Sequence, residues 1–310
     1  MKPASLFLLC AIAASAADLR LGIIGTDTSH VIAFSKVLND PSNPDHVPGA
    51  KVVAAFKGGS PDIESSANRV EGYAKELAEK YKVEIVPTID ALCGKVDAIL
   101  LESVDGRKHL EQAKAAIKCG KPMFIDKPLA STYPDALAIA KAAKAANVKW
   151  FSSSSLRWAD QMISMKSPAN KSVTVWGPGP LEKTHYLDLS WYAIHPTEML
   201  YALMGTGCVE VTRVSSHNDV VIGKWSDGRI GTIQVLRPYG DYGAIAYAEK
   251  KTIESGKIKV SYVPMLREIV KFFQTGVPPV SEEETLELFA FMDAAQKSKE
   301  QGGKPVKVKR

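Results

Sequence analysis

The sequence predicts an α/β protein: a doubly wound parallel sheet followed by an α+β domain with a largely antiparallel sheet. Apolar strands alternate with amphipathic helices from Leu19 to about residue 155, which is typical of a parallel sheet covered by helices on both faces. Beyond that point the pattern changes to short alternating strands and two long amphipathic helices. We therefore expect two domains, at 18–155 and 156–310, after an N-terminal segment of residues 1–17.

The elements of the first domain follow one another through short connections. Its strands are predicted at Leu19–Gly25, Lys51–Phe56, Val83–Val86, Ala98–Glu102, Pro122–Asp126 and Val148–Ser152. Its helices are predicted at Ser29–Asn39, Asn68–Lys82, Asp105–Lys118 and Pro134–Ala146. Ligands of such sheets bind at the carboxyl ends of the strands, so the residues that follow strands are the candidates for a site.

The second domain is predicted to open with a helix over Trp191–Met204. Its strands are predicted at Val209–Ser215, Val220–Trp225, Ile230–Leu236 and Ala244–Lys251. Asp227-Gly228 is a tight hairpin turn between two of these strands. Two amphipathic helices close the chain, at Val263–Thr275 and Glu282–Gln301, and Ser281 with Glu284 forms a capping box for the second.

The N-terminus has the pattern of an export signal. Lys2 precedes an apolar run from Leu6 to Ala14, and Ala14-Ser15-Ala16 offers a small-residue cleavage site. We expect residues 1–17 to be a signal peptide and the mature protein to be exported to the periplasm or the extracellular space, without membrane contact. A buried N-terminal helix is the alternative.

Charge and cysteine usage exclude some classes of partner. The net charge is +5, but basic residues are scattered among acids, so no nucleic-acid partner is expected. Cys93, Cys119 and Cys208 contain no CxxC pair, so a thiolate metal site is not expected. Cys93 and Cys119 each precede an apolar strand and can form a disulfide at one sheet edge, although two buried free thiols are the favoured interpretation.

The turn after the first strand bears on nucleotide binding. The strand contains Gly22 and runs into Gly25-Thr26-Asp27-Thr28-Ser29-His30. A dinucleotide fingerprint has glycines at the first, third and sixth positions, but here the last two are Asp27 and His30. A carboxylate repels pyrophosphate unless it turns away or caps the helix. An anion can still be held by the helix N-terminus together with Thr26, Thr28 and Ser29.

The loop after the second strand offers a cation near the expected ribose position. An NAD site usually has an acid there, whereas this chain has Lys57-Gly58-Gly59-Ser60. Lys57 and a small hydroxyl suit a ribose phosphate and favour NADP. A simple glycine loop explains the same residues equally well.

Several motifs in this order resemble one family. They are the strand Leu21–Gly25, the segment Val104–His109 entering a helix, Gly120–Ala130, and the C-terminal Gly276–Val280 before an amphipathic helix. Gly120–Ala130 contains Asp126-Lys127-Pro128 where the family usually has Glu-Lys-Pro. The chain resembles the Gfo/Idh/MocA family of glucose–fructose oxidoreductases, inositol dehydrogenases and MocA proteins over essentially all of its length after the signal.

The resemblance implies a cofactor, a substrate class and a catalytic pair. The cofactor would be NAD or NADP, and the substrate a carbohydrate, polyol or related carbonyl compound, with a homo-oligomer possible. Lys127 falls at the position that contacts the reacting hydroxyl, and His195 at that of the proton acceptor. A neutral imidazole is suited to accept a hydroxyl proton as hydride leaves. Further cofactor contacts are expected from Glu102, Asp105, His109 and Asp126.

Substrate contacts are predicted less directly. Arg157 and Trp158 follow the last parallel strand and suit an anionic group and a sugar face, or else form a polar linker. Family members often have an aspartate four residues before the catalytic histidine, and this chain has Trp191 there. His185 and Asp188 lie nearby and can replace it as a relocated polar cluster; we expect no metal site.

Three functions remain open from the sequence. The first is an NAD(P)-dependent oxidoreductase acting on a carbohydrate or polyol. The second is a redox-neutral enzyme that processes glycosides with a captive NAD. The third is a non-catalytic protein that binds a sugar or nucleotide through a degenerate phosphate turn.

Overall fold

The structure, a computed structural model, describes residues 17–309. The predicted signal peptide lies outside the described residues except for Ala17. No helix in the described part of the chain is long and apolar enough to cross a membrane.

The first sheet has six parallel strands in the order β3-β2-β1-β4-β5-β6. The strands are β1 (Leu19–Ile24), β2 (Ala50–Phe56), β3 (Glu84–Val86), β4 (Ala98–Leu101), β5 (Met123–Asp126) and β6 (Trp150–Ser153). The strand order reverses between β1 and β4: β2 and β3 follow on one side of β1, and β4, β5 and β6 on the other. This reversal opens a crevice at the carboxyl ends of β1 and β4. This is the predicted doubly wound sheet.

Helices cover the first sheet on both faces. They are α1 (Ser29–Asn39), α2 (Glu64–Ala67), α3 (Val70–Tyr81), α4 (Ile89–Cys93), α5 (Gly106–Ile117) and α6 (Tyr133–Ala145). Side-chain oxygens that accept a hydrogen bond from a first-turn amide start four of them, at Thr28, Thr88, Asp105 and Thr132.

A short 3-10 helix, Ser155–Trp158, leads from β6 into the second domain. The helices that follow are α7 (Asp160–Met165), α8 (Asp188–Trp191), α9 (Ile194–Met204), α10 (Val263–Thr275) and α11 (Glu282–Glu300). The strands are β7 (Asn170–Pro178), β8 (Cys208–Ser215), β9 (Asp219–Trp225), β10 (Ile230–Leu236), β11 (Gly243–Ala248), β12 (Thr252–Glu254) and β13 (Val306–Lys307).

The second sheet has the order β12-β11-β7-β10-β9-β8-β13 and is antiparallel except where β7 pairs with β10. This confirms the predicted, largely antiparallel α+β domain. Strand β7 lies near the middle of the sheet, in a segment where the sequence predicted no strand.

The helix predicted over Trp191–Met204 is two helices. α8 ends at Trp191 and α9 begins at Ile194. Pro196 has no amide hydrogen to donate to Tyr192, and the carbonyl of Tyr192 accepts instead from His195. Pro196 therefore lies in the first turn of a new helix, where the missing donor costs little.

Two hydrophobic clusters hold the molecule together. One covers a face of the first sheet and continues into the second domain through α9 and α11. In the other, Met265, Leu266 and Ile269 of α10 pack against the opposite face of the first sheet. Helix α10 thus follows the second sheet in sequence but packs on the first.

Cys93 and Cys119 are joined by a disulfide, and Cys208 is free and buried. The favoured prediction of two free thiols is wrong here. Both cysteines precede strands of one parallel sheet, so their Cα atoms lie at the same sheet edge, 5.1 Å apart.

Candidate functional site

A cavity of about 500 Å³ lies where the carboxyl ends of the first sheet meet the second domain. We call it the central cavity. Lys127 and His30 reach it from the first domain, and His195 reaches it from the second. The fold therefore brings the two predicted catalytic residues together in one space, although they are far apart in the sequence.

Lys127 directly follows β5 and is half-buried in the cavity wall. The bond between Lys127 and Pro128 is cis. Within residues 17–309, the ammonium group of Lys127 forms no hydrogen bond or ion pair. It is therefore available to a ligand in the cavity.

His195 is the second residue of α9, and its Nδ1 lies 2.7 Å from Oγ of Ser154, which follows β6. Burial, together with the charges of Lys127 and His30, lowers the pKa of His195 well below its ordinary value. The imidazole is therefore neutral near pH 7. When Nδ1–H donates to Ser154, Nε2 is left as a proton acceptor.

His30 occupies the position of the third fingerprint glycine. Its Nδ1 lies 2.6 Å from Oδ2 of Asp126 at the end of β5, and both side chains are buried. The centroid of the His30 ring lies 5.4 Å from that of Phe34 and 4.8 Å from that of Tyr262. Burial opposes ionisation of Asp126, but His30 and then Lys127 outweigh it and lower the pKa of Asp126. The pair fixes the orientation of His30 in the cavity wall.

Glu102 lies behind this pair, completely buried after β4. Neither carboxyl oxygen has a hydrogen-bond partner among the described residues. Burial, with the nearby charge of Asp126, raises the pKa of Glu102 well above its ordinary value. The predicted cofactor contact of Glu102 is not seen at the cavity wall, because the side chain points into the protein interior.

Asp27 turns away from the cavity. It is completely buried, and its carboxylate accepts hydrogen bonds from Oγ of Ser66 at 2.6 Å and from the amide of Val104 at 3.1 Å. Its charge therefore does not face an anion at the N-terminus of α1. Gly25, at φ +93°, needs to be glycine because a Cβ there would meet Ser103 at 2.3 to 2.6 Å.

The lining of the cavity also offers a site for phosphate. Thr28 and Ser29, at the N-terminus of α1, line it together with Ser65 and Arg69. A helix N-terminus and a guanidinium are both favourable to phosphate. None of the lining residues that the structure describes is acidic. The residues present therefore fit the phosphates of a dinucleotide despite the altered fingerprint.

Other predicted cofactor residues lie outside the cavity. Thr26 donates its amide to the carbonyl of Lys57 at 2.7 Å, and the Lys57 ammonium pairs with Glu71 at 2.8 Å. A Cβ at Gly22 would lie 2.9 Å from Leu92, so this glycine serves close helix packing. The Lys57 side chain, which would favour NADP, pairs with Glu71 at the surface and does not line the central cavity.

Asp105 and His109 hold the loop after β4. Asp105 caps α5 and accepts hydrogen bonds from Ser60 at 2.6 Å and from Arg107. Burial opposes ionisation, but the nearby His185 ring and the hydrogen bonds from Arg107 and Ser60 lower the pKa of Asp105. His109 lies between the carbonyls of Ser103 and Leu129 at 2.7 and 3.2 Å. Neither residue lines the cavity.

The predicted substrate residues also form internal contacts. Arg157 pairs with Glu198 at 2.7 Å and with Glu284 at 2.6 Å. Trp158 donates from its indole to Ser153 at 2.9 Å. Neither residue lines the central cavity, so the fold does not place them for direct contact with a ligand.

His185 and Asp188 are likewise outside the cavity. Nε2 of His185 lies 3.3 Å from Asp105, and Asp188 pairs with Arg213 at 2.6 Å and Lys299 at 2.7 Å. Across residues 17–309, no group of three or more His, Cys, Asp or Glu side chains is placed to hold a metal ion.

Sequence reasoning missed several cavity residues. Tyr192 and Tyr262 line the cavity, as do Ser65 and Arg69. Burial, with the nearby charge of Asp126, raises the pKa of Tyr262 to about 12, so its hydroxyl stays protonated. None of these residues stands at the end of a first-sheet strand, so the strand-end rule could not have found them.

The chain is similar to known proteins in sequence and in fold. Residues 19–154 match the sequence model of GFO_IDH_MocA, described as an oxidoreductase family with an NAD-binding Rossmann fold. Residues 19–154 therefore have the NAD-binding domain of the Gfo/Idh/MocA family. This confirms the resemblance seen in the sequence, the Rossmann fold and the nicotinamide cofactor of the family. No curated protein matches the sequence.

Solved structures extend the similarity over both domains. Myo-inositol 2-dehydrogenase from Lactobacillus plantarum is 16% identical with a TM-score of 0.75, covering 94% of this chain and 100% of that one. Myo-inositol dehydrogenase from Lactobacillus casei, in complex with NAD(H) and myo-inositol, is 15% identical with a TM-score of 0.73, covering 95% and 98%. GenD2 from gentamicin A biosynthesis, in complex with NAD, is 14% identical with a TM-score of 0.74, covering 94% and 97%. At these identities the likeness shows the fold alone.

Proposed function

We propose that this chain as a whole belongs to the Gfo/Idh/MocA family, and that it is a nicotinamide-dependent oxidoreductase that acts on a hydroxyl of a polyol or carbohydrate. The observation that carries the proposal is the meeting of Lys127 and His195 in a cavity that the N-terminus of α1 also lines. A proton acceptor, a cation for the reacting oxygen and an anion site are thus within one space. The inositol dehydrogenases of the same fold support a polyol as the substrate class.

In this proposal the residues divide the work of alcohol oxidation. When bound, the nicotinamide supplies hydride acceptance. The Lys127 ammonium binds the reacting hydroxyl oxygen and stabilises the negative charge that develops on it. Nε2 of His195 takes the hydroxyl proton, while Ser154 holds Nδ1 and so fixes the ring.

The remaining walls fit a sugar or polyol. The cavity is lined by Tyr192, Tyr242, Tyr262 and Trp191. All four supply aromatic surface, and the three tyrosines also supply protonated hydroxyls. Aromatic faces pack against the apolar faces of sugar rings, and the hydroxyls can hydrogen-bond to those of the substrate. His30, held by Asp126, adds a further hydrogen-bonding group near Lys127.

The test is binding and turnover in parallel. Titration of NADH and NADPH into the mature protein, followed by nicotinamide fluorescence, should give micromolar or tighter binding of at least one. A polyol panel that includes myo-inositol should then give NADH formation. Lys127→Met and His195→Asn should each lower kcat/KM by at least about 100-fold, the range of a lost acid–base or electrostatic group, and change NADH affinity far less.

Lys171→Met is the matched control, because Lys171 lies exposed on β7 away from the cavity. Failure of both dinucleotides to bind would refute the proposal. So would full turnover by Lys127→Met and His195→Asn.

We also propose that the protein is exported. The apolar run from Leu6 to Ala14 and the disulfide between Cys93 and Cys119 support this, since disulfides persist in oxidising compartments. Cell fractionation with mass spectrometry of the mature N-terminus should find a shortened chain outside the cytoplasm. A full-length cytoplasmic chain would contradict it.

A further inference from the structure

The central cavity continues into a second one. A neighbouring cavity of about 480 Å³ shares Tyr239, Tyr242 and Val260 with it. We call this the outer cavity; Asp241, Lys257 and Lys259 also line it. Its volume lies within the range of small-molecule sites, roughly 300 to 1,000 Å³.

The two domains contribute different chemistry to the central cavity. Thr28, Ser29 and Arg69 come from the first domain and suit phosphate, whereas Tyr239 and Val260 come from the second domain and also line the outer cavity. Lys127 and His195, which would hold the reacting hydroxyl, line the central cavity as well. A cofactor held by the first-domain residues leaves the lining at Tyr239 for the part of a substrate that does not react.

The junction between the cavities has an exposed apolar surface. Tyr239 is 68% exposed and Val260 is 53% exposed, while Tyr242 beside them is almost fully buried. An exposed aromatic ring beside a cavity is a surface on which a sugar ring can pack. Polar groups accompany it: Lys257 pairs with Asp241 at 3.0 Å, and Lys259 is exposed without an ion-pair partner in the described chain.

We propose that the outer cavity is a subsite for a second sugar ring, so that the substrate is a glycoside of disaccharide size. This rests on the proposed function for the placing of the first ring. The first ring lies at Lys127 and His195, and the second packs on Tyr239, with Asp241 and the two lysines within reach of its hydroxyls. A single-ring polyol leaves the outer cavity unused.

The experiment compares one-ring and two-ring probes on the whole mature protein. Calorimetric titration would use glucose against cellobiose, maltose and gentiobiose, and galactose against lactose and melibiose. At least one disaccharide should bind about tenfold or more tightly than its single-ring component. Tyr239→Ala should reduce that advantage about fivefold or more, and change monosaccharide affinity less than twofold.

Tyr247→Ala is the matched control, since Tyr247 is a tyrosine on β11, 40% exposed, that lines neither cavity. The subsite is refuted if every disaccharide binds no more tightly than its component. It is also refuted if Tyr239→Ala weakens both probe classes equally. Dinucleotide titration of the same samples separates the two proposals, because loss of NADH binding would refute the redox function without altering the comparison of sugars.

Discussion

Glu102 offers a direct test of the buried electrostatics behind the cavity. Its carboxyl is completely buried, and neither oxygen has a hydrogen-bond partner in the described structure. Burial, with Asp126 nearby, raises its pKa well above the ordinary value of 4.5. The folded state therefore holds Glu102 neutral, while the unfolded chain ionises it above about pH 4.5.

Because the pKa is raised on folding, the contribution of Glu102 to stability is fully present below pH 4.5 and is lost as pH rises. The loss approaches about 1.4 kcal/mol per pH unit while the folded carboxyl stays neutral. Glu102→Gln keeps the shape and abolishes the titration. The free energy of unfolding of Glu102→Gln, relative to that of the unmodified protein, should therefore rise between pH 5 and pH 7, by at most about 2.5 kcal/mol.

The measurement is urea unfolding of both proteins at several pH values across this range. Asp97→Asn is the control. Because Arg20 lowers the pKa of Asp97 to about 2, Asp97 is ionised in both the folded and the unfolded state from pH 5 to pH 7. The free energy of unfolding of Asp97→Asn, relative to that of the unmodified protein, should therefore be constant over this range. A difference between Glu102→Gln and the unmodified protein that does not change between pH 5 and pH 7 would refute the assignment of a neutral buried carboxyl. A difference that rises and then levels would locate the folded pKa of Glu102.

Two further predictions concern the phosphate wall and the disulfide. Arg69 lines the central cavity, is exposed, and has no ion-pair partner in the described chain. Arg69→Ala should therefore weaken NADH binding about five- to tenfold at low salt. The loss should be smaller at 0.5 M salt, because salt screens the charge of an exposed guanidinium. Exposed Arg267→Ala is the control, and unchanged affinity of Arg69→Ala would exclude Arg69 from the phosphate site. The disulfide spans 26 residues, so replacing both cysteines by serine should lower the free energy of unfolding by about 3.5 kcal/mol, measured by urea unfolding. Equal stability with and without reductant would argue against the disulfide.

The elements that the sequence predicted well have strong local signals. The strands of the first sheet are apolar runs bounded by turns, and their helices begin at side-chain caps such as Thr28 and Asp105. Lys127 was found for the same reason, since it ends one of these strands. The sequence predicted no strand where β7 lies, and the break before α9 depends on a single missing hydrogen-bond donor, that of Pro196.

The directions of side chains were harder to predict than their positions. Asp27 stands in the phosphate turn, but its carboxylate is satisfied by Ser66 and Val104 and faces inward. Arg157 stands after a strand end, but Glu198 and Glu284 neutralise it in the interior. A residue type at a sequence position does not say which partner will compensate its burial, because that partner comes from another element.

The sequence by itself determined the parallel sheet, the change of architecture near residue 155 and the family resemblance, and it predicted Lys127 and His195 as the catalytic residues. These follow from hydrophobic periodicity and short motifs, which are local. Only the tertiary structure decided that His30 pairs with Asp126, that Ser154 orients His195, and that Tyr239 joins two cavities. The contact of His30 with Asp126 joins two elements of the first domain that are 96 positions apart, whereas that of Ser154 with His195 joins the two domains. Both depend on elements that meet only in the folded chain.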